Sequence, residues 1–485
     1  MGYLTLHNTG GDVPPATRIV PLGLPLLLVI AISFSILRKL FQKSIPSPKF
    51  GLPVIGDALA YGNDPISFVK DATAKVGPVF RINMLLNSII FLRGNDMNKM
   101  YLETREDVWS FGDGMGLFLN KVVIPGYFTH LKRMVSSLNR GINRTAALEH
   151  YRSIAAEEAE KSLSDWASKT DIEIFEEASK FAHKVIVRCL MGQDFYEKNI
   201  EELYDLLHRM EADIGHPFNF LFPDWVPHPP AKRLGKARDR VAEIFHERLN
   251  EREQNPEKWR NSLDYVTYTL NDASTAHLKE YYPAHHTLLM FAAHTSTVAS
   301  IAWTIVQLLR SPAHMEQLRE ALSDCPNVHK SPELLAIIKE TGRRYSGVNM
   351  LRLARQPVQV PGTDITVPTG SVVSISPYMI HHDPATYKDP EVWDPSRWLR
   401  PGEVLEQKGS SKQVTFLQFG AGSHRCPGEN MAGMITREMI STLVKNYSVE
   451  WGPHGPPKDF SKLDFTKIGS PWLVGDASVS VRRLE

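Results

Sequence analysis

Apolar and polar positions fall along the chain in blocks of different period. Ile19 to Leu37 carries no charge and is rich in Leu, Ile and Val, long enough to cross a hydrocarbon core at about 1.5 Å per residue. Arg38, Lys39, Lys43 and Lys49 follow it, against Asp12 and Arg18 before it. That asymmetry predicts a single-pass anchor with the bulk of the protein on the cytoplasmic side, and the basic flank argues against a cleaved signal peptide. A proline- and glycine-rich hinge at 45–56 comes next, stiff and extended. Val79–Met84 and Ser88–Leu92 read as a β-hairpin. From there to about Lys339 the apolar spacing is helical. Pro217 to Pro230, with Phe, Trp and prolines, interrupts it as a membrane-dipping loop, a lid or a plain surface connection. Val348 to Val373 returns to short β-like runs with turn signals, and Asn430 to Val444 is again apolar and helix-like. The pattern predicts a mainly α protein with a small β-rich part.

One helix differs from the rest. Between Pro283, suited to a first turn, and Ser311-Pro312, a stop, the chain is almost uncharged apart from its histidines. A helix apolar on most sides belongs in a large core. At its middle stands a polar cluster, Ala292-Ala293-His294-Thr295-Ser296-Thr297. Either these side chains are satisfied locally, bonding back one turn, or they line a site or pass protons.

Composition narrows the classes. With 485 residues and a net charge of +1, the chain can bury a large core and gives no electrostatic argument for nucleic acid. Its three cysteines, Cys189, Cys325 and Cys426, are far apart and odd in number, which is no disulfide framework and fits a reducing compartment. Cys189 reads as a buried small hydrophobe.

Cys426 is different. It lies in Phe416-Leu417-Gln418-Phe419-Gly420-Ala421-Gly422-Ser423-His424-Arg425-Cys426-Pro427-Gly428-Glu429, a loop ahead of the last apolar helix. Helix N-termini and nearby basic groups lower a thiol's pKa, so the loop is expected to hold a thiolate, as metal ligand or nucleophile. Upstream, Glu340 and Arg343 share a helical face, and Arg397 is bracketed by aromatics in Trp393-Asp394-Pro395-Ser396-Arg397-Trp398.

Proline hinge, buried helix with a threonine, Glu-x-x-Arg, aromatic-x-Pro-x-Arg and Cys loop occur in the order that resembles the cytochrome P-450 superfamily, across essentially the whole chain. The resemblance implies that fold and divides the chain into 1–44 with its anchor, the hinge 45–56, and a haem-thiolate catalytic domain 57–485. It makes Cys426 the axial ligand of haem b, with Phe419, Gly422 and Gly428 shaping its surroundings. It gives His424 and Arg352, with Lys132 or Arg133, to the haem propionates, and Glu340, Arg343 and Arg397 to a structural ion cluster. Thr295 and His294 become the catalytic pair that handles protons at bound O2. The His-Thr-Ser run also resembles sterol 14α-demethylases. Ala292 stands where those have glycine, and Phe111 to Asn120 where they carry a Tyr-Asp segment.

The implied activity is monooxygenation of a bulky hydrophobic molecule, sterol- or triterpenoid-like. Electrons would come from NADPH through a separate cytochrome reductase docked near Arg133, Arg140, Lys408, Lys412 and Arg425. The implied setting is the endoplasmic reticulum membrane, with the catalytic domain cytosolic. The implied pocket draws on Val108–Pro125, Phe218–Trp225, Phe291–Thr295, Val348–Leu353 and Ser470–Leu473. The alternatives are a sterol 14α-demethylase proper, a reductase-independent haem-thiolate isomerase or dehydratase, and a non-enzymatic haem or lipid carrier.

Overall fold

The computed structural model describes residues 45–48, 57–84, 87–216, 218–219, 226–347, 349–400, 414–467 and 469–485. The anchor expected at 19–37, most of the hinge, most of the aromatic patch after Pro217, and Lys408 and Lys412 lie outside these residues.

The expected hairpin forms as β1 (Val79–Met84) and β2 (Asn87–Leu92). Its register sets Phe80 opposite Phe91 and Ile82 opposite Ile89, and the two phenyl rings stack with centroids 5.2 Å apart. Three later pieces join it: β3 (Trp109–Ser110), β4 (Met350–Ala354) and β5 (Val372–Ile375), in the order β1-β2-β5-β4-β3. The β2–β5 pairing is parallel, and the helical body is the connection between them. On β4, Arg352 lies opposite Val373 and Ala354 opposite Trp109. A second, three-stranded sheet joins Ile172–Glu173, Tyr447–Trp451 and Ser478–Arg483.

The helices that position the site are α1 (Phe111–Leu119), α2 (Tyr127–Ile142), α3 (Thr145–Ala167), α4 (Ile174–Ile186), α5 (Gln193–Ile214), α6 (Pro229–Gln254), α7 (Tyr282–Arg310), α8 (Pro332–Arg344) and α9 (Glu429–Asn446). The apolar helix of the sequence is α7, with Pro283 in its first turn and Ser311 at its end. Ile301, Ala302, Trp303, Ile305, Val306 and Leu308 on it are fully buried. Trp303 stacks on Tyr345 at 3.7 Å and donates Nε1–H to the Pro471 carbonyl at 2.9 Å. Burying such side chains contributes about 1.5–3 kcal/mol each, so α7 is the axle of the helical body. With its lead-in turn it is the one helix among the described residues long and apolar enough to cross a membrane, and here it is core.

Beyond Ile186, α4 loosens into a π turn at Val187–Met191, closed by Gly192 at φ +114°. Arg252 of α6 fills the space beside that glycine. It donates to Asp194 at 3.1 Å, Asp264 at 2.9 Å, Thr267 at 2.8 Å and the Met191 carbonyl at 2.7 Å. A charge buried this far is tolerated only when every donor is used. Cys189, in the same turn, is buried, and burial pushes its thiol up. It packs as the small hydrophobe expected.

Candidate active site

The loop before α9 is drawn tight by its own backbone. Gly420 N–H donates to the Leu417 carbonyl at 3.0 Å, and Cys426 N–H to the Phe419 carbonyl at 2.8 Å. Gly420 and Gly422 sit at φ +69° and +67°, conformations that side-chain-bearing residues rarely adopt. A Cβ at Gly428 would stand 3.8 Å from the Cys426 sulfur. The expected lowered thiol does not appear. Although the residue as a whole is exposed, protein atoms crowd the sulfur, and this burial raises the thiol pKa. Glu429 adds to the rise; the Gly428 amide and Arg425 only partly oppose it. Burial is the main cause, and Glu429, which grips Arg425 bidentately at 2.6 and 2.8 Å, offsets the pull of that cation on the thiol.

His424 engages Glu106 and Phe111. Its Nε2 is 3.0 Å from Glu106 Oε2, and its ring stacks on Phe111 at 5.0 Å. Burial alone would raise Glu106, but His424, Ser110 Oγ and the amides of Phe111 and Gly112 bring it down to about 2. Beside it, Arg352 is buried, held by the Thr104 carbonyl at 2.8 Å and by the Tyr101 ring at 4.7 Å. Its Nη2 has no hydrogen-bond partner among the described residues. A buried guanidinium N–H left open is costly unless an anion completes it. An open arginine beside a loop that presents a cysteine flanked by glycines fits a planar, carboxylate-bearing macrocycle ligated through sulfur. Phe419, half-buried, contributes its carbonyl. Lys132 and Arg133 are both exposed on α2, and Arg133 bonds His277 at 2.5 Å.

The polar centre of α7 is satisfied by a residue the sequence did not single out. Thr295 Oγ1 donates to Glu211 Oε1 at 3.1 Å, and His294 Nδ1 stands 3.4 Å from the same oxygen. His294 and Thr295 are buried. On its other side, His294 Nε2 faces Ser179 Oγ at 3.1 Å, which meets Tyr204 OH at 3.0 Å, which reaches Glu176 on the surface at 3.3 Å. Burial would raise the Glu211 carboxyl, but the bond and charge of His294, with Lys467 and His208, hold it below its ordinary value. The sequence did carry a signal: Glu211 lies within the buried stripe of α5 formed by Leu207, Met210 and Ile214. The C-terminal segment closes over this point, Trp472 Nε1 donating to the Thr295 carbonyl at 3.3 Å.

Behind the Cys loop, Glu340, Arg343 and Arg397 stand together, all buried. Arg343 grips both Glu340 oxygens at 2.9 Å, and Arg397 adds a bond at 3.1 Å. Trp398 Nε1 at 2.9 Å and the Asp394 amide at 3.0 Å complete the carboxylate.

A helical body around one buried helix, a cysteine loop braced by an arginine–glutamate cluster, and an open cationic seat beside it define a haem-thiolate class of enzyme. The chain belongs to the cytochrome P450 family, whose model matches residues 46–472. It is a cytochrome P450 monooxygenase by that membership, using haem and O2. It is 62% identical to the cytochrome P450 monooxygenase pynD of Aspergillus niger, over 91% of this chain and 93% of the relative. It is 55% identical to the monooxygenase pyvB of Aspergillus violaceofuscus, over 91% of each chain. Sterol 14-alpha demethylase CYP51A of Gibberella zeae is 26% identical, over 93% of this chain and 97% of the relative. The fold is shared with a retinoic acid-bound cyanobacterial CYP120A1 structure at TM-score 0.74 and 19% identity, covering 91% of this chain and all of that one.

Proposed function

We propose that Cys426 is the axial thiolate of the haem and that the protein inserts one oxygen atom into a bulky hydrophobic substrate. Bound haem supplies activation of O2 with electrons from NADPH through a separate reductase. The residues of the chain do the rest. Cys426 would hold the group through its sulfur, and Arg352 Nη2 would take a propionate. His424, between Glu106 and the Phe111 ring, would be a second contact for that group. Arg133, Arg140 and Arg425 remain the described candidates for reductase contact, with Arg140 and Arg425 tempered by Asp272 and Glu429. The protein sits at the cytosolic face of the endoplasmic reticulum membrane, anchored through 19–37.

The observation that carries monooxygenation is Thr295 Oγ1 on the Glu211 carboxylate, at the centre of an otherwise apolar helix. A core helix has no structural need for a buried threonine–acid–histidine set, whereas oxygen chemistry needs a held proton there. Thr295 donates, Glu211 accepts, and His294 links them through Ser179 and Tyr204 toward solvent. An isomerase or dehydratase would have no use for this line, and neither would a carrier. The relatives above half identity are monooxygenases, while the sterol demethylases stand near one quarter. With Ala292 and the α1 segment departing from the demethylase pattern, we assign a sterol- or triterpenoid-sized secondary metabolite rather than a membrane sterol.

Carbon monoxide on the reduced holoprotein tests the ligand. The thiolate-type absorption band is expected, and absent in Cys426→Ala. A histidine-type band, or an unchanged one in the variant, overturns it. Spin-state titration with sterols, triterpenoids, fatty acids and small aromatics tests the substrate class; a shift with small aromatics alone rejects it.

A further inference from the structure

His381 is fully buried at the end of the short helix Pro377–His381, and every polar atom it owns that reaches the site is in use. Its Nε2 accepts the Leu417 amide at 2.7 Å. Its Nδ1 meets Ser346 Oγ at 2.9 Å. Ser346 spends its own proton on the Arg343 carbonyl at 3.3 Å, so Nδ1 must be the donor and Nε2 the free acceptor. That fixes the tautomer. The His381 carbonyl in turn accepts from Arg343 Nη1 at 2.7 Å. The ring stacks on Phe416 at 5.0 Å, and Phe416 lies edge-on to Trp398, the residue that bonds Glu340.

Leu417 is the first fixed point of the cysteine loop. Its carbonyl closes the turn to Gly420, and the next carbonyl but one, from Phe419, receives the Cys426 amide. A line of hydrogen bonds and short stretches of backbone therefore runs from Glu340 through Arg343 and His381 to Leu417, and along the loop by Phe419 to Cys426. The close approach of α8 to the loop agrees, since a Cβ at Gly342 would overlap the Gln418 side chain. Without an acceptor, the Leu417 amide would be buried and unpaired, and the turn that seats the cysteine would lose its only tie to the ring.

We propose that His381 is the positioning residue of the cysteine loop, transmitting the placement of the α8 ion cluster to the Cys426 sulfur through the Leu417 amide. The proposal rests on Cys426 holding the haem. Burial and the Arg343 charge push the ring down to about 3, so it stays a neutral acceptor at working pH.

The test uses the full-length, haem-loaded protein. His381→Phe keeps a ring against Phe416 and removes the acceptor; His381→Gln returns an acceptor near the place of Nε2. In H381F the haem is expected to transfer to apomyoglobin about 10-fold faster. Its reduced carbon monoxide spectrum should move from the thiolate to the neutral-thiol type, and its midpoint potential should shift. H381Q should recover most of the thiolate-type band. A wild-type spectrum and release rate in H381F, or H381Q no better than H381F, overturns the proposal. If H381F yields no holoprotein, Ser346→Ala decides. It leaves the ring but frees the tautomer, and haem release should quicken a few-fold; a rate equal to wild type overturns the proposal. A wild-type spectrum lacking the thiolate band would instead overturn the ligand assignment beneath it.

Discussion

Glu211 changes what the α7 centre can do. A lone histidine and threonine in an apolar helix need only local partners, but here one carboxylate oxygen receives the threonine and faces the histidine. Because His294 and Lys467 outweigh burial, Glu211 is an anion at neutral pH and accepts rather than donates. Glu211→Gln keeps the shape and removes that capacity. General acid–base groups contribute about 10²–10⁴-fold. With reductase present and a substrate found by spin-state titration, product per NADPH should fall by about 100-fold while hydrogen peroxide release rises. Haem content and melting temperature should change little. Unchanged coupling would remove Glu211 from the proton path.

At the scale of elements, the site depends on how closely α1 lies on β4. A Cβ at Gly114 would stand 2.9 Å from the Arg352 Cα and 3.2 Å from the Leu351 carbonyl, both backbone and unable to yield. Gly114→Ala should therefore push β4 and shift the open Arg352 N–H away from the position proposed to take a propionate. The expected loss is about 1–3 kcal/mol of stability, with faster haem loss. Gly62→Ala, where nothing lies within 4 Å of the added carbon, is the control that should leave both unchanged. Elements with their own periodic pattern were legible from sequence: α7 between its proline and serine, the β1–β2 hairpin, α9 after the loop. β3 was not, because two residues, Trp109 and Ser110, become a strand only through pairing with β4. The same distinction holds within the site. Glu340 and Arg343 are three apart and announce each other, whereas Glu211, Glu106, Ser179 and His381 meet their partners across long stretches of chain. Local charge misled in one place: Arg425 next to Cys426 suggested a lowered thiol, but burial of the sulfur outweighs it, and the i+4 partner Glu429 pulls the other way.

Across the whole molecule, neutral histidines are built into several packed elements at once. Burial drives His183, His285 and His381 from 6.5 to about 3 and His382 to about 2, and holds His286 well below its ordinary value. Neighbouring cations or histidines add to the effect for all of these but His285. On unfolding, each ring regains a pKa near 6.5. Between roughly pH 3 and 6.5 the unfolded chain therefore binds more protons, so stability is full above 6.5 and is lost as pH falls. Each such histidine adds up to about 1.4 kcal/mol per pH unit in that window. Set against a total of about 5–15 kcal/mol, a few of them suffice to unfold the protein on mild acidification. The melting temperature of the holoprotein should thus drop steeply between about pH 6.5 and 5, ahead of the range where the depressed carboxyls of Glu106 and Asp272, both near 2, come into play. His286 offers the sharpest test. Neither ring nitrogen has a hydrogen-bond partner among the described residues, and the ring packs on Phe245 at 4.8 Å and Tyr265 at 5.2 Å. Replacing an unsatisfied buried polar group with an apolar one of similar size is neutral or stabilising. His286→Leu should match or exceed wild-type stability at neutral pH and lose about 1.4 kcal/mol per pH unit less on the acid side. Parallel acid profiles for the two proteins would show that this histidine is not part of the linkage, and a flat wild-type profile would dismiss the linkage altogether.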